Sequence, residues 1–156
     1  MIAVEFGCGS ADFAQVLAKK VHKGRVYALD IDQQKLSALK SKSALHKLNN
    51  IVTVACDLEA ENGSTLKAGS CDMVVIPNLL FQVENKRGIM FEANRILKSS
   101  GQCLVIDWLK ENPLHKKEHL LAPDQVKRIA AESTLSLKKE FAAGDYHYGL
   151  LFQKIS

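Results

Sequence analysis

The chain has 156 residues, 47% hydrophobic and 24% charged, enough for one globular core and short for two ordinary domains. Its formal charge of +4 is carried by scattered pairs such as Lys19-Lys20, Lys116-Lys117 and Lys138-Lys139, a solvated-surface pattern that argues against a nucleic-acid partner. No apolar run approaches the ~20 residues of a membrane span, and no basic-then-apolar leader opens the chain, so we expect a cytoplasmic protein without a membrane partner.

Ile2-Ala3-Val4 leads into Glu5-Phe6-Gly7-Cys8-Gly9-Ser10-Ala11-Asp12 and then an amphipathic stretch to Val21. This predicts a buried strand, a glycine turn and a helix, with Ser10 as the N-cap and Phe13, Val16, Leu17 and Val21 on the inner face. Arg25–Leu29 is the second strand and ends in Asp30-Ile31-Asp32. A helix follows from Gln33 to about Leu48, with Leu36, Leu39 and Leu48 inward. The third strand, Ile51–Cys56, ends at Asp57-Leu58, and the fourth, Asp72–Ile76, is stopped by Pro77-Asn78. Ile89, Met90, Ala93, Ile96 and Leu97 recur at helical spacing until Ser99-Ser100-Gly101. The fifth strand, Cys103–Ile106, ends at Asp107-Trp108. A polar stretch from Lys110 to Ala122, containing Pro113, reads as a loop or short helix over the rim. Pro123 or Asp124 starts a helix to Glu132. Leu135–Phe141 and Tyr148–Lys154 then form a hairpin through Ala142–His147.

Continuous apolar strands alternating with helices imply an α/β fold with a mostly parallel sheet covered on both faces. Ligands of such sheets bind outside the carboxyl ends of the strands. Glu5, Asp30, Asp57, Asn78 and Asp107 all fall at or just past those ends, so they converge on one rim. The four cysteines, Cys8, Cys56, Cys71 and Cys103, contain no C-x-x-C pair and read as small core residues in a reducing compartment.

The glycine turn narrows the ligand. In the dinucleotide fingerprint the sixth place of G-x-G-x-x-G is Gly or Ala, and here it is Asp12, which repels a pyrophosphate. Glu5 and Asp12 instead suit an adenosine ligand that also carries positive charge, such as S-adenosylmethionine (SAM). Asp30 lies roughly 20 residues beyond Gly9, where a strand-two acid meets a ribose hydroxyl in α/β nucleotide sites. Its alternative role, capping the following helix, falls more naturally to Asp32. Asp57 can accept from an exocyclic amine.

These residues resemble the class I SAM-dependent methyltransferases, most nearly the small-molecule type related to the quinone-biosynthesis enzymes. The resemblance covers nearly the whole chain. Glu5, Gly7 and Gly9 match the family's first motif, although Ala11 stands where glycine is usual. Asp30 falls on the ribose-binding acid, Ile31 on the apolar residue packed against adenine, and Asp57, with Leu58 beside it, on the acid facing the adenine amine. Asp72–Gln82, including Asn78, resembles the motif bordering the methyl group, and Arg95–Gly101 the turn before strand five. The resemblance implies a Rossmann-like, seven-stranded sheet with an antiparallel last strand between the fifth and sixth. It also implies SAM as cofactor and a small-molecule acceptor. Residues 1–156 would form a single domain lacking the helices that the family usually carries before its first strand.

Methyl transfer from a sulfonium needs mainly alignment of the nucleophile; a base is required only where the acceptor must lose a proton. We therefore expect no indispensable base, with His147 and Asp107 as the exposed side of that expectation. Wider candidates are His115, His119, Asp145, Tyr146 and Tyr148. His115 and His119 are four apart but have no third metal ligand in view, so no metal is expected. Trp108 can line an acceptor pocket or cap the core. Two other readings remain: an RNA or protein methyltransferase, and a non-catalytic SAM-binding or partner-binding module.

Overall fold

The computed structural model describes residues 1–109, 111 and 114–156; Lys110 and Pro113 of the polar stretch lie outside the described residues. The strands are β1 (Ile2–Phe6), β2 (Arg25–Asp30), β3 (Ile51–Ala55), β4 (Cys71–Pro77), β5 (Leu97–Trp108), β6 (Leu135–Ala143) and β7 (His147–Lys154). The helices are α1 (Asp12–Lys20), α2 (Gln33–Leu45), α3 (Lys86–Ile96) and α4 (Pro123–Glu132), with single 3-10 turns at Leu80–Gln82 and Lys117–His119. Among the described residues one seven-stranded sheet runs β3-β2-β1-β4-β5-β7-β6. The pairs among β1 to β5 are parallel; β6 and β7 pair antiparallel as the hairpin pattern predicts, and β7 lies between β5 and β6 as the family resemblance implies.

The two sheet faces differ in side-chain size. Val4, Phe6, Leu29, Val74, Ile76, Cys103 and Val105 pack with Ile89, Met90, Ala93 and Ile96 of α3 and with Val126 and Ala130 of α4. On the other face Ala3, Val26 and Ala28 meet Ala14 and Ala18 of α1 and Leu36 and Leu39 of α2. Small residues on both sides let α1 lie close to the sheet. That corrects the expected inner face of α1 in part: Leu17 and Val21 do pack against this cluster, but Ala14, Gln15 and Ala18 are the buried residues and Val16 is 53% exposed. Summed hydrophobicity pointed to the larger side chains, but close packing selected the alanine stripe.

Two local expectations also change. Ser10 does not cap α1: its hydroxyl donates to Asp12 Oδ2 at 2.7 Å. Ala11 occupies the N-cap in a left-handed conformation, φ 71°, at the position where the resembling family carries glycine. The helix before strand five ends at Ile96, and Ser99–Gly101 are already strand, with Ser100 at φ 62° and a register shift between Cys71 and Met73. Other signals hold. Asp32 caps α2, accepting from Gln34 N and Lys35 N. Asn85 caps α3 through Gly88 N. Pro123 opens α4, and Gln125 reaches back to Ala122 N.

Candidate functional site

Strand alternation decides where the first two acids go. Glu5 lies on the same face of β1 as Ala3, and Asp30 follows Val26 and Ala28 on that face of β2. Both point under the start of α1 and are buried, Glu5 to 1% exposure. Between β1 and α1, Gly7 has φ +78° and Gly9 φ +42°. A Cβ on Gly7 would lie 3.2 Å from Leu79 Cδ1, while nothing stands within 4 Å of the corresponding point on Gly9. The turn is thus closed against the β4 loop at Gly7 and open at Gly9. Cys8 Sγ lies 3.6 Å from Asp30 Oδ2, and Asp30 Oδ1 accepts from Asp32 N at 2.9 Å.

A cleft of about 550 Å³ opens over this turn, within the size range of small-ligand sites. It brings together every residue assigned to the cofactor from sequence: Glu5, Gly7, Gly9, Asp30, Ile31, Asp57, Leu58 and Asn78. Ile31 is 70% exposed at the mouth, an apolar side chain left in water unless a ligand face covers it. Asn78 has the left-handed φ of 52° that asparagine tolerates, directly after Pro77 ends β4. Its amide N–H donates to Ile106 O at 2.8 Å.

Two loops are tied across the cleft by a residue the sequence did not single out. Glu59 Oε1 accepts from Glu84 N at 2.9 Å and Asn85 N at 2.8 Å, while Glu59 O accepts from Asn85 Nδ2 at 3.0 Å. Asp57 Oδ1 accepts from Glu59 N, which shapes the same loop. The loop is anchored behind by Glu92, which accepts from Ser64 N and Ser64 Oγ and pairs with Arg95. Phe13, Lys35, Cys56, Phe81 and Val83 also line the cleft. Cys8 and Cys56 therefore line this space, whereas Cys71 and Cys103 stay in the core.

The two weak catalytic candidates lie elsewhere. Asp107 is 1% exposed and lines no part of the cleft; its carboxylate accepts from Phe81 N and Trp108 N. Burial pushes its carboxyl up to about 6, against those two backbone donors. Its position fixes the Phe81 loop rather than meeting a ligand. His147 pairs opposite Trp108 in the β5–β7 ladder, and its ring stacks on the indole at 4.0 Å. Burial lowers its pKa, and it too stays off the cleft lining, which Trp108 and His115 complete. Tyr148 is buried with its hydroxyl donating to Leu121 O, and Tyr146 sits half-exposed at the hairpin.

A second cavity of about 490 Å³ adjoins the first and shares Phe81, Gln82 and His115 with it. Lys86, Glu118, His119, Leu121 and Gln125 line its outer part. Among the described residues no group of three or more His, Cys, Asp and Glu is placed to hold a metal. None of the described helices is long and apolar enough to cross a membrane.

The cleft fits an adenosine ligand with a cationic end. Two buried acceptors on its wall, Glu5 Oε2 and Asn78 Oδ1, have no hydrogen-bond partner among the described residues. Buried acceptors are normally satisfied, so both await donors. Burial, then Asp30 and Asp12, push the Glu5 carboxyl up to about 8, against a backbone contribution from Ala14. Asp30 and Asp57 place further carboxylate oxygens on the same wall.

A family model described as a methyltransferase domain matches residues 1–145. No curated protein sequence matches. Among solved structures, a SAM-dependent methyltransferase from Aquifex aeolicus superposes with a TM-score of 0.88 at 21% identity, covering 99% of this chain and 82% of that one. The [4+2]-cyclase SpnF gives 0.83 at 11% identity over 99% and 74% of the two chains. An arsenic(III) S-adenosylmethionine methyltransferase from Chlamydomonas reinhardtii gives 0.75 at 20% identity over 100% and 64%. Likenesses at such identities speak for the fold.

Proposed function

The chain belongs to the methyltransferase domain family, with SAM as its cofactor, and on that premise we propose that it methylates a small-molecule acceptor. The observation that carries the acceptor reading is the second cavity, a space of small-molecule size that meets the cofactor cleft at Phe81, Gln82 and His115. We read residues 1–156 as a single SAM-binding domain of the small-molecule type nearest the quinone-biosynthesis enzymes. Its four free cysteines fit a cytoplasmic setting.

SAM supplies an activated methyl group. The protein binds, orients and excludes water. In this reading Asp30 accepts from the ribose hydroxyls and Asp57 from the adenine amine, with Ile31 and Leu58 against the base. Glu5 and Asn78 use their vacant acceptors on the amino-acid end. Gly7 and Gly9 let the ligand approach the backbone. The Glu59 tie holds the β3 and β4 loops at a fixed separation, so the bound geometry is set before the acceptor arrives.

Titration calorimetry with SAM, S-adenosylhomocysteine and NAD tests the cofactor assignments. SAM and S-adenosylhomocysteine should bind, NAD should not, and Asp30→Ala should weaken SAM by roughly 1–3 kcal/mol through loss of charged hydrogen bonds. NAD binding without SAM binding would reject the site, and an unchanged Asp30→Ala affinity would remove Asp30 from it. Label transfer from methyl-labelled SAM into a metabolite extract would then identify the acceptor.

A further inference from the structure

We propose that the outer face of α1 and α2 is a docking surface for an anionic phospholipid bilayer, met at its surface and without a span. Folding gathers what the sequence scatters. Both helices pack on the same face of the sheet, through Ala14 and Ala18 of α1 and Leu36 and Leu39 of α2. They are also tied to each other. Asn50 Nδ2, just after α2, donates to Ala18 O at 2.9 Å and Val21 O at 3.2 Å, and Lys42 Nζ donates to Ser10 O at 3.0 Å. Their outward side chains therefore make one surface.

That surface is basic and uncompensated. Lys19, Lys20 and Lys23 leave the end of α1 and the turn after it. Lys40, Lys42 and Lys47 leave α2 and the turn after it, and all six are exposed. The acids between Phe13 and Cys56 are Asp30 and Asp32. Asp30 is buried, and Asp32 is occupied as the cap of α2 by Gln34 N and Lys35 N. Asp12 stands at the opposite end of α1 from the lysines and accepts from Ser10 Oγ. Among the described residues none of the six lysines is in an ion pair. The lysines that do find acids, Lys98 and Lys127, belong to β5 and α4.

The residue types choose the partner. Two apolar side chains stand among these lysines in water, Leu45 at 78% exposure and Val16 at 53%. Leu36, Leu39 and Ser43 are the buried side of α2, which sets Leu45 on the outermost side; Ala14, Gln15 and Ala18 do the same for Val16 on α1. Outermost apolar groups flanked by lysine are the interfacial pattern: the apolar groups enter the headgroup layer and the ammonium groups meet lipid phosphates. A nucleic acid is instead gripped by arginine forks and stacked on aromatic rings. Here Arg25 is the one arginine between residues 11 and 50, and no Phe, Tyr or Trp in that span is exposed. Protein interfaces, for their part, are depleted in lysine. The expectation of no membrane partner rested on the lack of a span, and docking on a surface does not need one.

The test is co-sedimentation of the full chain with vesicles of phosphatidylcholine alone and of phosphatidylcholine with an equal part of phosphatidylglycerol. The protein should partition onto the mixed vesicles, and salt at ~1 M, where the Debye length is ~3 Å, should release most of it. Lys19→Gln/Lys40→Gln should lower partitioning by ~10–30-fold. Lys138→Gln/Lys139→Gln removes the same charge from β6, at the sheet edge opposite β3, and should change it by less than ~threefold. Leu45→Ser should lower it by ~5–10-fold with net charge unchanged. None of these side chains lines the cleft or belongs to either core cluster, so each variant should keep the wild-type circular dichroism. Equal partition onto the two vesicle types, equal losses for the two lysine pairs, or salt-sensitive binding to RNA without vesicle binding would each overturn the proposal.

Discussion

Glu5→Gln is expected to make the ligand-free protein more stable and to weaken SAM binding. The carboxyl of Glu5 is pushed up to about 8 from an ordinary 4.5, chiefly because folding strips it of water, with Asp30 adding repulsion. Between those two values the folded protein keeps a proton that the unfolded chain releases. Stability therefore falls as pH rises through this window and levels off above about 8. At pH 7 the accumulated cost is about 3 kcal/mol, taking ~1.4 kcal/mol for each unit of displacement. Glutamine has no charge to desolvate, so urea unfolding should show the variant about 2–3 kcal/mol more stable at neutral pH, with a flatter pH dependence. Binding should move the opposite way. A cationic ligand favours the carboxylate, so wild type should release a proton on taking up SAM at neutral pH. Glu5→Gln should release none from this position and should bind roughly 10–100-fold more weakly, the usual scale for losing a charged hydrogen bond. Calorimetry in two buffers of different ionisation heat reads both quantities. If stability and affinity were both unchanged, Glu5 would be an ordinary buried side chain with no part in the cleft.

Glu92→Leu should cost about 3–5 kcal/mol of stability, the range for breaking a buried pair by removing one partner. Glu92 is buried in α3 and is held by four donors. Ser64 donates from its backbone and its hydroxyl, and Arg95 donates from Nε at 2.7 Å and Nη2 at 2.6 Å. Burial opposes its charge, but the Arg95 and Ser64 donors outweigh that, and the carboxyl is held below its ordinary value. The contribution is accordingly present above the ordinary carboxylate range and lost as pH falls through the depressed folded value. Leucine would strand the guanidinium, which also reaches Leu66 O at 2.8 Å, together with both Ser64 groups. The loop carrying Asp57, Leu58 and Glu59 would lose its anchor, so SAM affinity should fall as well. Glu92→Leu/Arg95→Met, which removes both charges, should regain part of the loss. A single variant within about 1 kcal/mol of wild type would show that the loop is held by other contacts.

What was readable in the chain was whatever depends on neighbours in sequence. Apolar strands broken by Asp30, Asp57 and Pro77 predict parallel strands whose acids share one rim, and the cleft lining contains those residues. The closing hairpin was legible because Ala142–Tyr146 is too short for anything but a direct return, and Gly144 takes the positive φ of 75° within it. Tertiary choices were not legible. Val16 outranks Ala14 on any hydrophobicity scale, yet the contact with Ala3 and Ala28 requires small side chains. Asp107 stands at a strand end like the cofactor acids, but alternation along β5 turns it inward with Cys103 and Val105. Glu59 acts on Glu84 and Asn85, some 25 residues away, and nothing local distinguishes it from a solvated loop acid. His115 lay in a polar stretch without periodicity; its place between two cavities exists only after the chain has folded.

Trp108 gives the molecule its own optical reporter. It is the single tryptophan of the chain, with its indole on the cleft lining and His147 stacked behind it. The fluorescence excited through indole absorption at the red edge therefore comes from one place, the wall of the larger cleft beside His115. A ligand that displaces water from the cleft side of the ring shifts that emission to shorter wavelength. Protonation of His147, whose ring lies 4.0 Å from the indole, is expected to quench that emission, so a pH scan reads His147 apart from ligand binding. Occupancy can then be followed on the millisecond scale in unlabelled protein, without first knowing which acceptor it takes.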